Sequence, residues 1–144
     1  MAVEQNYKNH RRYLPLVHFV IQPILIANVV VEIVKLVKDP SGRQAWQVVV
    51  WAAIVAFTFM ARSMALSAQN RVIRLEERLR LATLLPPDQR GRINELTTRQ
   101  LIGLRYASDE EVVELAQRCL AGELRGSEDV KKAVKNWRAD HLRV

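Results

Sequence analysis

The chain has 144 residues, 22 of them Lys or Arg against 15 Asp or Glu, for a formal net charge of +7. Its mean hydropathy of −0.07 averages a long apolar half with a highly charged one, so only the second half is left to build an aqueous core, and that core is small. One cysteine, Cys119, excludes an intrachain disulfide and any metal site made of several thiolates.

The positive excess is local. Residues 1–85 carry 11 basic and 5 acidic side chains, whereas residues 86–144 carry 11 and 10. A module that neutralises a run of phosphates needs a concentrated basic face. Here the excess flanks two apolar stretches, at Lys8, Arg11, Arg12, Arg62, Arg71, Arg74, Arg78 and Arg80, which predicts an electrostatic anchor at a membrane surface and no nucleic-acid partner.

Residues 1–13 read as a polar N-terminal arm. Arg11-Arg12 before an apolar run resembles an export signal, but the run is far longer than a signal core and lacks a small-x-small cleavage site, so the segment reads as retained structure. The first apolar stretch, Leu14 to Val37, and the second, Ala45 to Leu66, would each measure ~33–36 Å as a helix, enough to cross a hydrocarbon core of about 30 Å. A polar turn over residues 38–44 joins them. Basic residues are denser beside both outer ends than in the turn, so both termini are expected on the cytoplasmic side. Tyr13 and Trp46 fit the interfacial aromatic belts, and Arg62 is close enough to a boundary to snorkel.

Four polar residues interrupt the first span. At about 100° per residue His18, Gln22, Asn28 and Glu32 occupy roughly one third of the helix circumference. Polar groups are costly in hydrocarbon and turn toward protein or water, so this stripe is expected to be covered by the second span, another copy or another membrane protein. His18 is the one candidate cofactor ligand, as an axial ligand to a haem or chlorin; a boundary position and helix-helix hydrogen bonds account for the stripe without a cofactor. Pro23 removes a backbone donor in mid-span and predicts a kink, with Gln22 placed to help satisfy the freed carbonyls.

The second span continues as a seam at alternating three- and four-residue spacing through Thr58, Ala61, Ala65, Ala68, Val72, Leu75, Leu79 and Ala82. Small residues within the apolar stretch allow close helix approach, and the change to Val and Leu beyond it suits burial from water. One helix is expected from about Ala45 to Leu85, its part over 67–85 forming an amphipathic stalk. The charged outer face of that stalk includes Arg74, Arg78 and a Glu76 to Arg80 pair at i, i+4. Pro86-Pro87 stops the helix.

Residues 86–144 predict a bundle of short helices. Thr97 or Thr98 caps one through about Tyr106. Ser108 with Glu111 is a capping box for another to about Leu120, with Gly122 as its stop, and Ser127 caps the last. Asp109, Glu110 and Glu111 suit a helix N-terminus, which explains them without acid-base chemistry. The tail core is expected at Val112, Ala116, Cys119, Leu120, Val134 and Trp137. In the last helix Val130, Ala133, Val134, Trp137 and His141 share a face opposite Lys131, Lys132, Lys135 and Arg138. Five glycines, and histidines scattered at positions 10, 18 and 141, supply no phosphate loop, zinc spacing, triad or nucleophile elbow.

The opening Glu4-Gln5-Asn6-Tyr7-Lys8-Asn9-His10-Arg11-Arg12-Tyr13, with Pro15 and His18, resembles a family of short bacterial inner-membrane proteins known as a domain of unknown function. The tail runs Leu96-Thr97, Gln100-Leu101, Arg105 to Glu111 and Lys131 to Trp137 extend the resemblance over most of the chain. It implies two spans with a cytoplasmic helical tail and carries no activity; the label of transporter permease borne by some members finds no residue here to support it. The expectation is an all-α protein of the bacterial cytoplasmic membrane: a transmembrane hairpin (14–66), a stalk (67–85) and a cytoplasmic helical tail (86–144). It is expected to be a noncatalytic anchor, accessory or assembly subunit without metal or cofactor, bound to the bilayer and to another membrane protein or its own copies. The alternative is a small transport or pigment-binding subunit using the polar stripe.

Overall fold

A computed structural model describes residues 6, 7, 9 and 14–140. Lys8, His10, Arg11, Arg12, Tyr13 and His141 therefore lie outside the described residues. The described chain is helical, and its one extended pairing is an isolated antiparallel bridge between Ala107 and Trp137. It forms two compact bodies, Arg12–Ala65 and Leu66–Val144 with Met1–Arg11.

The first body begins with a departure from the α-helix. Proline lacks an N–H and its ring crowds the carbonyl four residues back. Ahead of Pro23 the backbone widens into π-helical turns over Leu16–Ile21, where the Gln22 N–H bonds to the Val17 carbonyl five residues earlier. Gln22 does absorb a carbonyl here, through its backbone. Helix α1 then runs Gln22–Lys38. The turn is shorter than the pattern predicts, because Ser41 Oγ accepts from the Gln44 N–H at 3.2 Å and opens helix α2 at once. Helix α2 spans Gly42–Leu84, 43 residues. Both Leu16–Lys38 and Gly42–Leu84 are long and apolar enough to cross a membrane.

In the second body α2 ends at Leu84, just ahead of Pro86-Pro87, and a 3₁₀ turn over Arg90–Glu95 leads to α3 (Thr98–Leu104), α4 (Asp109–Leu120) and α5 (Ser127–Ala133). The core gathers Leu81 and Leu85 with Ile93, Leu96, Leu101, Leu104, Val112, Leu115, Ala116, Cys119, Leu124, Val130 and Val134. Leu120 and Trp137 are half-buried against its margin. The buried aromatic anchor is Tyr106, fully enclosed, with the Trp137 ring 5.0 Å from its centroid. Two helix ends follow from local chemistry. Thr97 caps α3, and Gln100 completes the box by accepting from the Thr97 N–H while its amide donates to the Leu124 and Cys119 carbonyls. Gly122, at φ 81°, ends α4 in a left-handed conformation that glycine adopts without strain.

The predicted Ser108-Glu111 box does not form. Ser108 makes no capping bond, and the Glu111 carboxylate instead accepts from the Lys135 and Asn136 N–H groups at 3.2 and 3.3 Å. That pull breaks the last helix early: α5 ends at Ala133, Val134 is extended, and Trp137 joins the bridge to Ala107 rather than a helical face. The cap of α5 is also displaced by one residue, since Asp129 accepts from the Gly126 N–H and the helix starts at Ser127. Lys131 does not lie on a solvated face; it is buried, paired with Glu128 at 2.8 Å and 5.9 Å from the Tyr106 ring centroid.

Candidate functional site

In the first body the helices carry their polarity inside out. Phe19, Val20, Ile21, Ile24, Ile26, Val30, Val31, Ile33 and Val34 of the first helical segment are exposed, while His18, Gln22 and Asn28 are half-buried and Glu32 is buried. The polar stripe is satisfied at short range. His18 Nδ1 lies 3.0 Å from the Leu14 carbonyl oxygen, and Asn28 Nδ2 donates to the Ile24 carbonyl at 3.1 Å. Glu32 bridges the turn: its carboxylate accepts from Lys35 Nζ at 2.8 Å and from the Gln44 side-chain amide on α2. This is the arrangement expected of helices whose surroundings are less polar than their interior.

The second body holds a cleft of about 780 Å³ built around an ionic cluster. Helix α2 lines it with Val72, Ile73, Glu76, Glu77 and Arg80, and Ile73 and Glu77 belong, with Leu81, to the one buried face of that helix. The i, i+4 pair predicted on the outside, Glu76 to Arg80, does not form; Arg80 turns inward and pairs with Glu77 at 3.1 Å. The reason is the number of acceptors inside. Arg80 Nε donates to Asp109 Oδ1 and Nη2 to the Ala107 carbonyl, both at 2.7 Å, so one guanidinium joins α2 to the start of α4. Arg138 approaches the other Glu77 oxygen at 4.0 Å. Arg105, also buried, gives Nη2 to the Tyr106 hydroxyl, while its Nη1 is 3.2 Å from Asp140 Oδ2 without hydrogen-bond geometry.

Burial pushes the Glu77 carboxyl above its ordinary value of 4.5, and Arg80, Arg138 and Arg105 only partly offset this. A folded state that holds this proton more tightly than the unfolded chain contributes stability below the ordinary value of 4.5, and that contribution is lost as pH rises through the raised value. Exposed Glu95 and Glu110 have lowered values and act in the opposite sense as pH falls further. Urea midpoints above pH 4.5 are therefore expected to fall with rising pH in the native protein and to flatten in Glu77→Gln. An unchanged slope in that variant would remove Glu77 as the cause.

Cys119 gives the second body an internal reporter. The thiol is 4% exposed and burial pushes it up to about 11, so little reactive thiolate is present near neutrality. Alkylation by iodoacetamide at pH 8 is expected to be slow in the folded protein and to approach the free-thiol rate in urea. Fast labelling of the native chain would contradict this burial. No group of His, Cys, Asp and Glu among the described residues could hold a metal ion.

The remaining surface is the other side of α2. Val72, Leu75 and Leu79 are 52%, 58% and 72% exposed, and Ala61, Ala65, Ala68 and Ala82 are exposed with them. Thr58 is half-buried. At about 100° per residue the Val72, Leu75, Leu79, Ala82 face is roughly opposite Ile73, Glu77 and Leu81, so the seam is not what packs on the tail. Periodicity alone could not tell these faces apart, because both are spaced helically and the packed one includes a carboxylate.

The model of DUF6526, a family of unknown function, matches residues 1–144, the whole chain. No curated protein and no solved structure matches.

Proposed function

For this chain, which belongs to the DUF6526 family, we propose a noncatalytic role as an integral protein of the bacterial cytoplasmic membrane, serving as an anchor or assembly subunit through helix contacts. The observation that supports it is the reversed polarity of the first body: large apolar side chains outward, and the Glu32 carboxylate buried where Lys35 and the Gln44 amide of α2 reach it. In water this distribution would expose apolar surface at about 25 cal/mol per Å², whereas lipid removes that cost and favours internal satisfaction of polar groups. The excess of Lys and Arg beside both outer ends supports cytoplasmic termini. The second body then lies in the cytoplasm and offers its helical surface to other proteins.

The test is fractionation followed by mass. Full-length protein is expected to pellet with membranes after ultracentrifugation of lysed cells, to resist carbonate extraction, and to appear in native mass spectra of mild-detergent extracts as an assembly larger than one chain. Protein that remains in the supernatant without surfactant would overturn the membrane reading, and a strictly monomeric extract would overturn the assembly role.

A further inference from the structure

We propose that the exposed face of α2 beyond the apolar stretch is the interface with a second copy of this chain, paired in parallel and in register as a short two-stranded coiled coil. The inference rests on the membrane reading, because copies inserted with one orientation present this face to each other in parallel.

Two features select this occupant. The first is the period. Ala68, Val72, Leu75, Leu79 and Ala82 follow a strict alternation of four and three residues, which places Val72 and Leu79 at a positions and Ala68, Leu75 and Ala82 at d positions of a heptad repeat. A helix that needs only to cover a globular partner has no requirement for a 3.5-residue repeat, whereas two supercoiled helices do. These side chains are not covered by the chain itself: Val72, at the edge of the cleft, Leu75 and Leu79 are each more than half exposed, in a segment too charged to be shielded by lipid. A β-branched residue at a beside Leu at d, as at Val72 and Leu75, favours two strands.

The second is charge. The same register places Arg71 at g and Glu76 at the following e position, the pair that meets across a parallel, in-register dimer. Both are exposed and neither makes an ion pair among the described residues. Two-fold symmetry forms the contact twice, Arg71 of each copy to Glu76 of the other. Arg80, which borders the same cleft as Glu76, is already engaged by Glu77, Asp109 and the Ala107 carbonyl and does not pair with Glu76.

Single cysteines test the pairing in the full-length protein within native membranes, with buried Cys119 retained as an unreactive background. Under copper-phenanthroline oxidation, Ala68→Cys, Leu75→Cys and Ala82→Cys are each expected to give disulfide dimers at least about tenfold faster than Arg74→Cys, which points away from the seam. All four sites are on the surface, so folding is not at issue. Charge supplies an independent readout: Arg71→Glu and Glu76→Arg should each weaken the dimer several-fold, and the two together should restore it. Cross-linking at Leu75 alone would mean antiparallel pairing and overturn the proposal. Equal rates at all four sites, or failure of the charge swap to rescue, would overturn it as well. Native mass spectra showing one copy beside a different protein would overturn this inference while leaving the assembly role standing; a lone chain would overturn both.

Discussion

Replacement of Arg80 by alanine is expected to destabilise the second body by about 3–5 kcal/mol, the range for removing one partner of a buried ion pair. Three acceptors lose their donor together: Glu77 at 3.1 Å, Asp109 at 2.7 Å and the Ala107 carbonyl at 2.7 Å. Asp109 is exposed and can turn to water, but the Glu77 side chain is only 6% exposed. Without Arg80, Glu77 is left with the distant Arg138 and must take up a proton or open the cleft. The loss should accordingly shrink as pH is lowered, because protonation relieves the uncompensated charge. Pulsed alkylation of Cys119 in mild urea measures this directly, since labelling requires opening of the body around it. A rise of about a hundredfold or more at pH 7 is expected in Arg80→Ala. A rise below threefold would mean that water already satisfies Glu77.

Gly103→Ala is expected to cost about 1–3 kcal/mol by overpacking. Helices α3 and α5 approach so closely at Gly103 that an added Cβ would be 2.6 Å from Val130 Cβ, 2.9 Å from Val130 Cγ1 and 3.0 Å from the Ser127 carbonyl oxygen. Val130 is β-branched and fully buried, and the Ser127 oxygen is backbone, so neither neighbour can swing aside. Relief requires the two helices to move apart. Gly91→Ala is the control, since nothing lies within 4 Å of its added methyl. The same alkylation pulse should separate the two, with Gly91→Ala indistinguishable from the native protein. Equal rates for both variants would refute the close approach.

Helical content and its punctuation were legible in the chain because they depend on local chemistry. Pro86-Pro87 stops α2 by a missing donor, Thr97 starts α3 by supplying an acceptor, and Gly122 ends α4 by taking a positive φ. The core positions Val112, Ala116, Cys119 and Val134 followed from periodicity and are buried. What escaped depends on groups distant in sequence. Arg80 satisfies the i, i+4 rule with Glu76, yet Asp109 and the Ala107 carbonyl, 29 and 27 positions away, draw it inward. Glu111 has the spacing of a capping-box partner but finds two free N–H groups at Lys135 and Asn136. Trp137 fits the helical period of its neighbours, and only the bridge to Ala107 reveals its extended backbone. Tyr106, flanked by Arg105 and at the end of a predicted helix, gave no sign that Trp137, Arg105 and Lys131 would close around it.

That bridge also fixes when the tail can become itself. The Ser108 N–H ends on the Asn136 carbonyl at 3.0 Å and the Arg138 N–H on the Tyr106 carbonyl at 2.7 Å, so the junction ahead of α4 is fastened by residues made only after α4 and α5. On the ribosome the earlier helices must wait, partly assembled, until residues 136–138 have emerged. A nonsense codon just before Asn136 would leave a product whose junction never closes, a natural target for quality-control proteases.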